Sequence, residues 1–99
     1  MFEKHSPDGL EMARRGVSSL TRREKEILML LGGGETSKNI ALNLHISPRT
    51  VEVHRSRILL KVGVRSTAML IRTLADIEIE HMKARLSEQA TGAGGPRQP

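Results

Sequence analysis

The sequence lacks cysteine, tryptophan and tyrosine, and Phe2 is its only aromatic residue. The absence of cysteine excludes a disulfide framework and a thiolate metal site, and it fits a reducing compartment. The near-absence of aromatic rings argues against a stacking platform for single-stranded nucleic acid. No apolar run approaches the ~20 residues of a membrane span, and the N-terminus has no apolar signal core. We therefore expect a cytoplasmic chain without a membrane partner.

Positive charge is what the sequence has in excess. The formal net charge is +5, from 16 Lys and Arg against 11 Asp and Glu. The charges cancel within residues 1–20 and again within residues 66–99, so the whole excess lies in residues 21–65. A localised positive field suggests a polyanionic partner, most simply nucleic acid, and an ordinary solvated basic surface is the alternative.

Apolar periodicity and capping residues predict four helices and no strand. The predicted N-caps are Thr21, Thr36 or Ser37, Ser47 and Ser66. Thr21 is expected to form a capping box with Glu24. Glycines 32–34 are expected to end the first helix because glycine adopts a left-handed cap without steric penalty. The third and fourth helices are predicted to span about residues 48–62 and 67–86.

The chain has room for one small domain, and we expect an all-α, compact four-helix bundle over residues 20–86. Residues 1–19 contain the turn sequence "SPDG" and are expected to be flexible or partly helical. Residues 87–99, which end in "TGAGGPRQP", are expected to form a disordered tail. So short a chain leaves little space for an enzyme cleft. No catalytic constellation converges and the histidines are dispersed, so no enzyme activity, metal site or cofactor is predicted.

The second and third predicted helices are short and are joined by about three residues, "LHI" at 44–46. Small Ala41 would face the crossing of the third helix, and Ile46 and Val51 would close a shared core. This layout, over about residues 36–56, is that of a helix-turn-helix, although any two-helix corner could share it.

The third predicted helix has two different faces. Val51, Ile58 and Val62 recur at helical spacing on the inner face. Arg55 also points inward, and we expect it to lay its stem on the core and to pair with Glu24 or Glu26. The outer face is made of Arg49, Glu52, Val53, Ser56 and Arg57.

The side chains of this outer face are of types that read DNA bases. Arginine can bind guanine with two hydrogen bonds, glutamate can accept from cytosine, and valine can touch a thymine methyl group. A recognition helix presents its N-terminal residues to the major groove. The pattern therefore predicts a recognition helix at about residues 48–62. The alternative is a solvated face on which the glutamate favours the helix dipole.

The stretch "LTRREKEILMLLGGGETSKNIALNLHISPRTVEVHRSRILLKVGVRS" resembles the DNA-binding domain of the LuxR/FixJ/GerE family of bacterial transcription regulators. The resemblance covers about residues 20–75, and the opening "LTRREKEIL" followed at this separation by "SPRTVEVHR" is specific. It implies a four-helix domain that binds double-stranded DNA through its third helix and dimerises through its last. The departures are mild: Val62 replaces the usual leucine, and two extra glycines occupy positions 32 and 33.

The resemblance also implies roles for individual residues. Lys38 matches a lysine that contacts the DNA backbone, while His54 and Lys61 match residues near phosphates. The groove-facing positions of the family are matched by Thr50, Glu52, Val53 and Ser56. Each charge in the set could instead be an ordinary solubilising residue. The complete predicted DNA-binding set is Thr36, Ser37, Lys38, Ser47, Arg49, Thr50, Glu52, Val53, His54, Ser56, Arg57, Lys61 and Arg65.

The last predicted helix carries two apolar stripes. Leu70, Leu74 and Ile77 fit the core of the domain itself. A second stripe, with steps of three and four residues, forms a narrow seam on a different face and is predicted to pair two copies of the chain. The alternative is that the helix frays after Asp76. The predicted dimerisation seam is Ala68, Ile71, Ala75, Ile79, Met82 and Leu86.

These observations predict a sequence-specific, homodimeric transcription regulator that binds an inverted repeat in double-stranded DNA, in the cytoplasm and at the nucleoid. Two alternatives remain: a sigma-factor-like promoter-binding domain, and a protein-interaction module that pairs with and inhibits a larger LuxR-type relative. That relative and RNA polymerase are the further candidate partners. About twenty residues precede Leu20, so the chain is either a small stand-alone regulator, which Met1 favours, or part of a longer protein.

Overall fold

The computed structural model describes residues 7–89, and these form five α-helices. The helices are α1 Pro7–Ser18, α2 Arg22–Gly32, α3 Ser37–Leu44, α4 Pro48–Val62 and α5 Thr67–Glu88. No strand occurs within that described range, so the predicted all-α class is confirmed. The second to fifth helices correspond to the four predicted ones, and α3 with α4 forms the corner predicted as a helix-turn-helix.

Local sequence signals set the starts of these helices. The capping box is present: the Thr21 N–H donates to Glu24 Oε1 at 2.8 Å, and the Glu24 N–H donates to Thr21 Oγ1 at 3.1 Å. Thr36, Ser47 and Ser66 cap the next three helices, each accepting from the backbone N–H three residues later. Of the two predicted caps of α3, Thr36 is therefore the one that is used.

Glycines end α2 and α4 in different ways. Gly63 caps α4 in the left-handed conformation, with φ of 85°. In α2 the helix includes Gly32 and its C-cap is Gly33, whose φ of −83° is not left-handed. The left-handed residue is Gly34, with φ of 90°. The predicted stop is correct, but the left-handed turn comes at the end of the glycine run.

The core includes side chains from all five helices. Its largest fully buried residues are Ile27, Ile40, Val51, Ile58 and Leu70. The predicted closure of the α3–α4 corner is confirmed, because Ala41 is buried beside them and Ile46 packs against the same cluster. The predicted inner stripe of the last helix is confirmed as well: Leu74 and Ile77 continue the packing from Leu70.

Helix α1 is longer than a flexible or partly helical segment over residues 1–19 would suggest. It has 12 residues and begins at Pro7, within the turn sequence "SPDG", because proline is accepted at the first helical position. Ala13 and Gly16 are buried, and Val17 packs against the core. A Cβ atom on Gly16 would lie 2.2 Å from the Lys61 carbonyl oxygen, so the glycine lets α1 lie directly on the last turn of α4.

At the C-terminus α5 also extends further than predicted. It reaches Glu88, so the tail predicted for residues 87–99 begins too early. Residues 90–99 of that tail, and residues 1–6 of the predicted N-terminal segment, lie outside the described residues.

The prediction that Arg55 pairs with Glu24 or Glu26 is wrong. The Glu24 side chain, only 4% exposed, accepts instead from Lys61 Nζ at 2.9 Å. Lys61 lies six residues beyond Arg55, or about 9 Å along the helix axis. Glu24 faces that C-terminal end of α4, while Arg55 turns toward Glu52.

This buried carboxylate predicts a specific loss of stability in acid. The Thr21 backbone N–H, and then the Lys61 ammonium, hold the pKa of Glu24 below its ordinary value of 4.5. A lowered folded-state pKa stabilises the fold above about pH 4.5, and that stabilisation disappears as the pH falls through the folded-state value. We therefore expect wild type to lose more unfolding free energy than Glu24→Gln between about pH 7 and about pH 3. Urea titrations measure this, with exposed Glu26→Gln as the control, and equal losses in wild type and Glu24→Gln would contradict it.

Candidate nucleic-acid interface

One side of α4 is open to solvent over most of its length. The side chains on it follow helical steps of three and four and are all exposed: Arg49, Val53, Ser56, Arg57 and Leu60. The opposite side carries Val51, Ile58 and Val62, which are buried. The predicted division of this helix into a buried and an exposed face is confirmed, except that Glu52, predicted on the outer face, is half-buried.

The turn before α4 exposes the start of that helix. His45 adopts the left-handed conformation, with φ of 59°, and the Ile46 N–H donates to the Ala41 carbonyl at 3.0 Å. Ser47 Oγ accepts from the Thr50 N–H and lies 2.9 Å from Thr50 Oγ1. The positive end of α4 therefore points to solvent beside two hydroxyl groups, an arrangement that favours anions.

The first turn of α3 lies beside the first two turns of α4, and Ser37 Oγ donates to Glu52 Oε2 at 2.5 Å across this contact. Thr36 Oγ1 accepts from the Asn39 N–H. Lys38 is exposed, and its side chain forms no hydrogen bond or ion pair with any residue between 7 and 89. This brings the predicted site residues of α3 next to those at the start of α4.

Glu52 is the predicted site residue with the most contacts inside the protein. Besides the Ser37 hydroxyl it accepts from Arg55, whose Nε lies 3.0 Å from Oε1 and whose Nη2 donates to the same oxygen. Arg55 Nη1 also donates to Thr67 Oγ1 of α5 at 2.8 Å. The Ser37 hydrogen bond, and then the Arg55 guanidinium, hold the pKa of Glu52 below its ordinary value. The carboxylate is therefore charged at neutral pH.

Three of the predicted DNA contacts differ from this cluster in burial or in position. His54 is half-buried, and its Nδ1 has no hydrogen-bond partner among residues 7–89. Lys61 lies in the last turn of α4, about 13 Å beyond Glu52 along the helix, and Arg65 follows the end of that helix. The Lys61 ammonium is held by Glu24, while Arg65 is exposed.

The predicted dimerisation seam faces solvent along α5. Ile71 is 38% and Ile79 49% exposed, and Ala68, Ala75, Met82 and Leu86 are exposed as well. The helix runs without a break to Glu88, which differs from the alternative of a helix that frays after Asp76. Pairing through this seam stays a prediction.

Sequence reasoning missed two residues of this region. Leu60, 82% exposed, follows Ser56 by four positions and Arg57 by three, so the periodicity of the outer face contained the signal. Thr67 accepts from Arg55, a contact between separate helices for which the sequence has no local signal.

Within residues 7–89 no helix combines the length and the apolar character needed to cross a membrane.

Comparisons with known proteins agree with this architecture. The family model "Bacterial regulatory proteins, luxR family" matches residues 18–74. Transcriptional regulatory protein FixJ of Rhizobium meliloti (strain 1021) is 41% identical over 59 residues, which are 60% of this chain and 29% of that protein. Transcriptional regulatory protein UhpA of Escherichia coli (strain K12) is 36% identical over 72 residues, 72% of this chain and 37% of that protein.

A third relative, the uncharacterized response regulatory protein YgeK of Escherichia coli (strain K12), is 48% identical over 56 residues, or 57% of this chain and 38% of its own length. The chain thus spans well under half the length of these relatives, and no solved structure matches it. Because the family model covers more than half of the 99 residues, from the last residue of α1 into the first half of α5, the chain belongs to the luxR family of bacterial regulatory proteins.

Proposed function

We propose that this chain is a transcription regulator that binds double-stranded DNA sequence-specifically, with α4 in the major groove. The observation that carries the proposal is the exposed face of α4, where base-reading residue types lie opposite a fully buried face. The family match and the names of FixJ and UhpA as transcriptional regulatory proteins support it. The luxR family consists of regulatory proteins, and we propose no catalytic step for this chain. Its place of action is the cytoplasm, at the nucleoid.

Different parts of the interface have different tasks in this proposal. On the outer face of α4, Arg49 and Arg57 can bind guanine or phosphate, and Val53 can touch a thymine methyl group. Hydroxyl groups at the starts of α3 and α4 can donate to phosphate oxygens, as can the free N–H groups of the first turn. The serines and threonines with this proposed task are Thr36, Ser47 and Thr50, and Ser56 on the exposed face of α4 can donate in the same way. Arg65 adds a charge beyond α4, and His54 is a contact at the edge of the face.

The distribution of charge supports the same partner. The whole net charge of +5 lies in residues 21–65, which include α2, α3 and α4. Positive charge next to a recognition helix strengthens binding to any DNA sequence by releasing counterions. Lys61 is left out of the proposed phosphate contacts, because its ammonium is held by buried Glu24.

We further propose that two copies pair through the seam on α5. The seam lies on the side of α5 away from Leu70 and Leu74, so pairing would not disturb the core. Burial of one such apolar side chain is worth about 1.5–3 kcal/mol, so several together can offset the entropy lost on association. A symmetric pair would present two α4 helices about 10 base pairs apart, and the preferred site would be an inverted repeat.

Replacement of Lys38 by alanine tests the phosphate part of the proposal. We expect Lys38→Ala to weaken binding to all sequences alike and to reduce the slope of log affinity against log salt by about one unit. Fluorescence anisotropy with a labelled duplex at several salt concentrations measures the slope. Lys25→Ala, which removes an exposed lysine of α2, is the matched control and should keep the wild-type slope. A Lys38→Ala slope equal to that of the control would mean that Lys38 is only a solvated charge.

A further inference from the structure

A chain of polar contacts links the N-terminal turns of α3 and α5 through α4. Ser37 is the first residue of α3 and Thr67 the first residue of α5. Glu52 accepts from Ser37 on one side, and Arg55 donates to both Glu52 and Thr67 on the other. Two residues of the recognition helix, one turn apart, therefore attach it to the ends of two neighbouring helices.

The geometry of Glu52 does not suit a base-reading side chain. Each of its carboxylate oxygens already accepts within the protein, Oε2 from the Ser37 hydroxyl and Oε1 from two nitrogen atoms of Arg55. Reaching a base edge would require turning away from both partners. The carboxylate also lies at the start of α3, where the helix dipole favours a negative charge. Hydrogen bonds to an ionised group are the stronger kind, so this side chain is held in place.

The apolar packing between α3 and α4 is small, so a polar contact can contribute to holding the two helices at a fixed angle. Helix α3 has only 8 residues and buries Ile40 and Ala41, so its packing on α4 rests on a small area. The second restraint is the turn at residues 45–47. A hydrogen bond between the first turns of the two helices fixes their angle at the end that faces the proposed DNA. A shift of α4 of even about 1 Å would misplace its side chains relative to base edges.

We propose that Glu52 is a positioning residue, which holds the recognition helix against α3 through Ser37 and against α5 through Arg55, and does not itself read a base. This inference rests on the proposed function. It replaces the base contact that the resemblance implied for Glu52, and it leaves base reading to the exposed face that begins at Arg49.

The two roles of Glu52 predict different results for Glu52→Ala. If Glu52 reads a base, its removal changes the preferred base at one position of each half-site. If Glu52 positions the helix, its removal leaves the preferred sequence unchanged but lowers the affinity for that sequence. We expect a factor of about 3 to 10, which is the size of coupling expected for residues in direct contact. Binding to unrelated DNA should not weaken, because a negative charge near phosphates is removed.

The experiment compares variants of the full chain by selection from random duplexes and by titration of the selected site. Ser37→Ala should reproduce the effect of Glu52→Ala, and the double variant should lose little more than either single one. Ser37→Thr keeps the hydroxyl group and should retain wild-type affinity. Glu26→Ala removes an exposed carboxylate that pairs with Arg23 on α2 and serves as the charge control.

A readout without DNA accompanies these titrations. Because the Ser37 hydrogen bond is the main cause of the lowered pKa of Glu52, NMR titration should show a higher Glu52 pKa in Ser37→Ala than in wild type. This measurement also shows whether the variants are folded. An unchanged pKa would overturn the contact on which the inference depends.

The outcomes separate this inference from the proposed function. If wild type binds DNA and Glu52→Ala selects a different base at one position, Glu52 reads that base and the positioning role is refuted. If Glu52→Ala and Ser37→Ala losses add independently, the two residues do not act together and the inference also fails. A wild-type chain that binds no duplex at all would overturn the proposed function, and the positioning role with it, even if the pKa of Glu52 responds to Ser37→Ala.

Discussion

Gly16→Ala is expected to lower the free energy of unfolding by about 1–3 kcal/mol, the usual effect of forcing an extra methyl group into a packed site. The new Cβ atom would lie 2.2 Å from the Lys61 carbonyl oxygen and 2.8 Å from the Val62 Cα atom. Both are backbone atoms of α4, which cannot turn aside as a flexible side chain can. Helix α1 must therefore move off α4 or detach from it, and this loss exceeds the gain of about 1 kcal/mol in helix propensity from glycine to alanine.

Gly32→Ala is the matched control for this substitution. Gly32 is also a helical glycine, but apart from its chain neighbours and its own helix backbone no atom lies within 4 Å of the place that its Cβ would take. We expect Gly32→Ala to leave stability unchanged or to raise it by up to about 1 kcal/mol. Urea unfolding followed by circular dichroism compares the two variants with wild type. Equal stability of Gly16→Ala and Gly32→Ala would show that α1 does not pack on α4.

Because of the position of α1, this prediction also tests where the folded unit of the chain begins. Almost all of α1 precedes residues 18–74, which the family model matches. Ala13 and Gly16 are nevertheless buried, as the core residues of the matched region are. A large effect of Gly16→Ala would therefore show that the folded unit includes α1 and begins before the family domain.

Combined substitution of Ile71 and Ile79 by glutamate is expected to produce a monomer and to weaken binding to a two-half-site duplex by about 100-fold or more. Two charges in an apolar seam make pairing of α5 unfavourable, because each would be buried without a partner. A monomer loses the second half-site, and linked binding of two sites exceeds single-site binding by about 10²–10⁴-fold. The core should survive, since both side chains are substantially exposed in the single chain.

Analytical ultracentrifugation measures the oligomeric state, and titration of the selected duplex measures the affinity. Met69→Glu is the control: Met69 is 38% exposed, as Ile71 is, but it lies on a different face of α5. We expect this variant to dimerise like wild type. A folded Ile71→Glu/Ile79→Glu protein that still dimerises would mean that the copies pair through another surface, or that α5 has no such role.

Interactions between residues that are only a few positions apart in the chain could be predicted from the sequence. The capping box of Thr21 and Glu24 spans three residues, and Ser47 with Pro48 marks the start of α4 for equally local reasons. The buried face of α4 followed from helical periodicity, which needs only the spacing of Val51, Ile58 and Val62. The exposed face of the candidate site was predicted by the same argument.

Interactions that depend on how the helices pack could not be predicted in this way. The pairing of Glu24 with Lys61 joins residues 37 positions apart, and the sequence offered Arg55 as an equally charged partner. The contact between Ser37 and Glu52 depends on the angle between α3 and α4. Gly16 was not singled out, because a glycine in a helix weakens the apolar pattern and its value appears only when α4 lies against it.

The most direct test of the proposed function is selection of duplexes from a random pool by the wild-type chain. If the exposed face of α4 reads base edges in a symmetric pair, successive rounds should enrich an inverted repeat with half-sites about 10 base pairs apart, bound more tightly than the starting pool by about 10³-fold or more. Enrichment of no sequence, with equal affinity for the starting and the final pools, would contradict the proposal that this protein reads DNA sequence through α4.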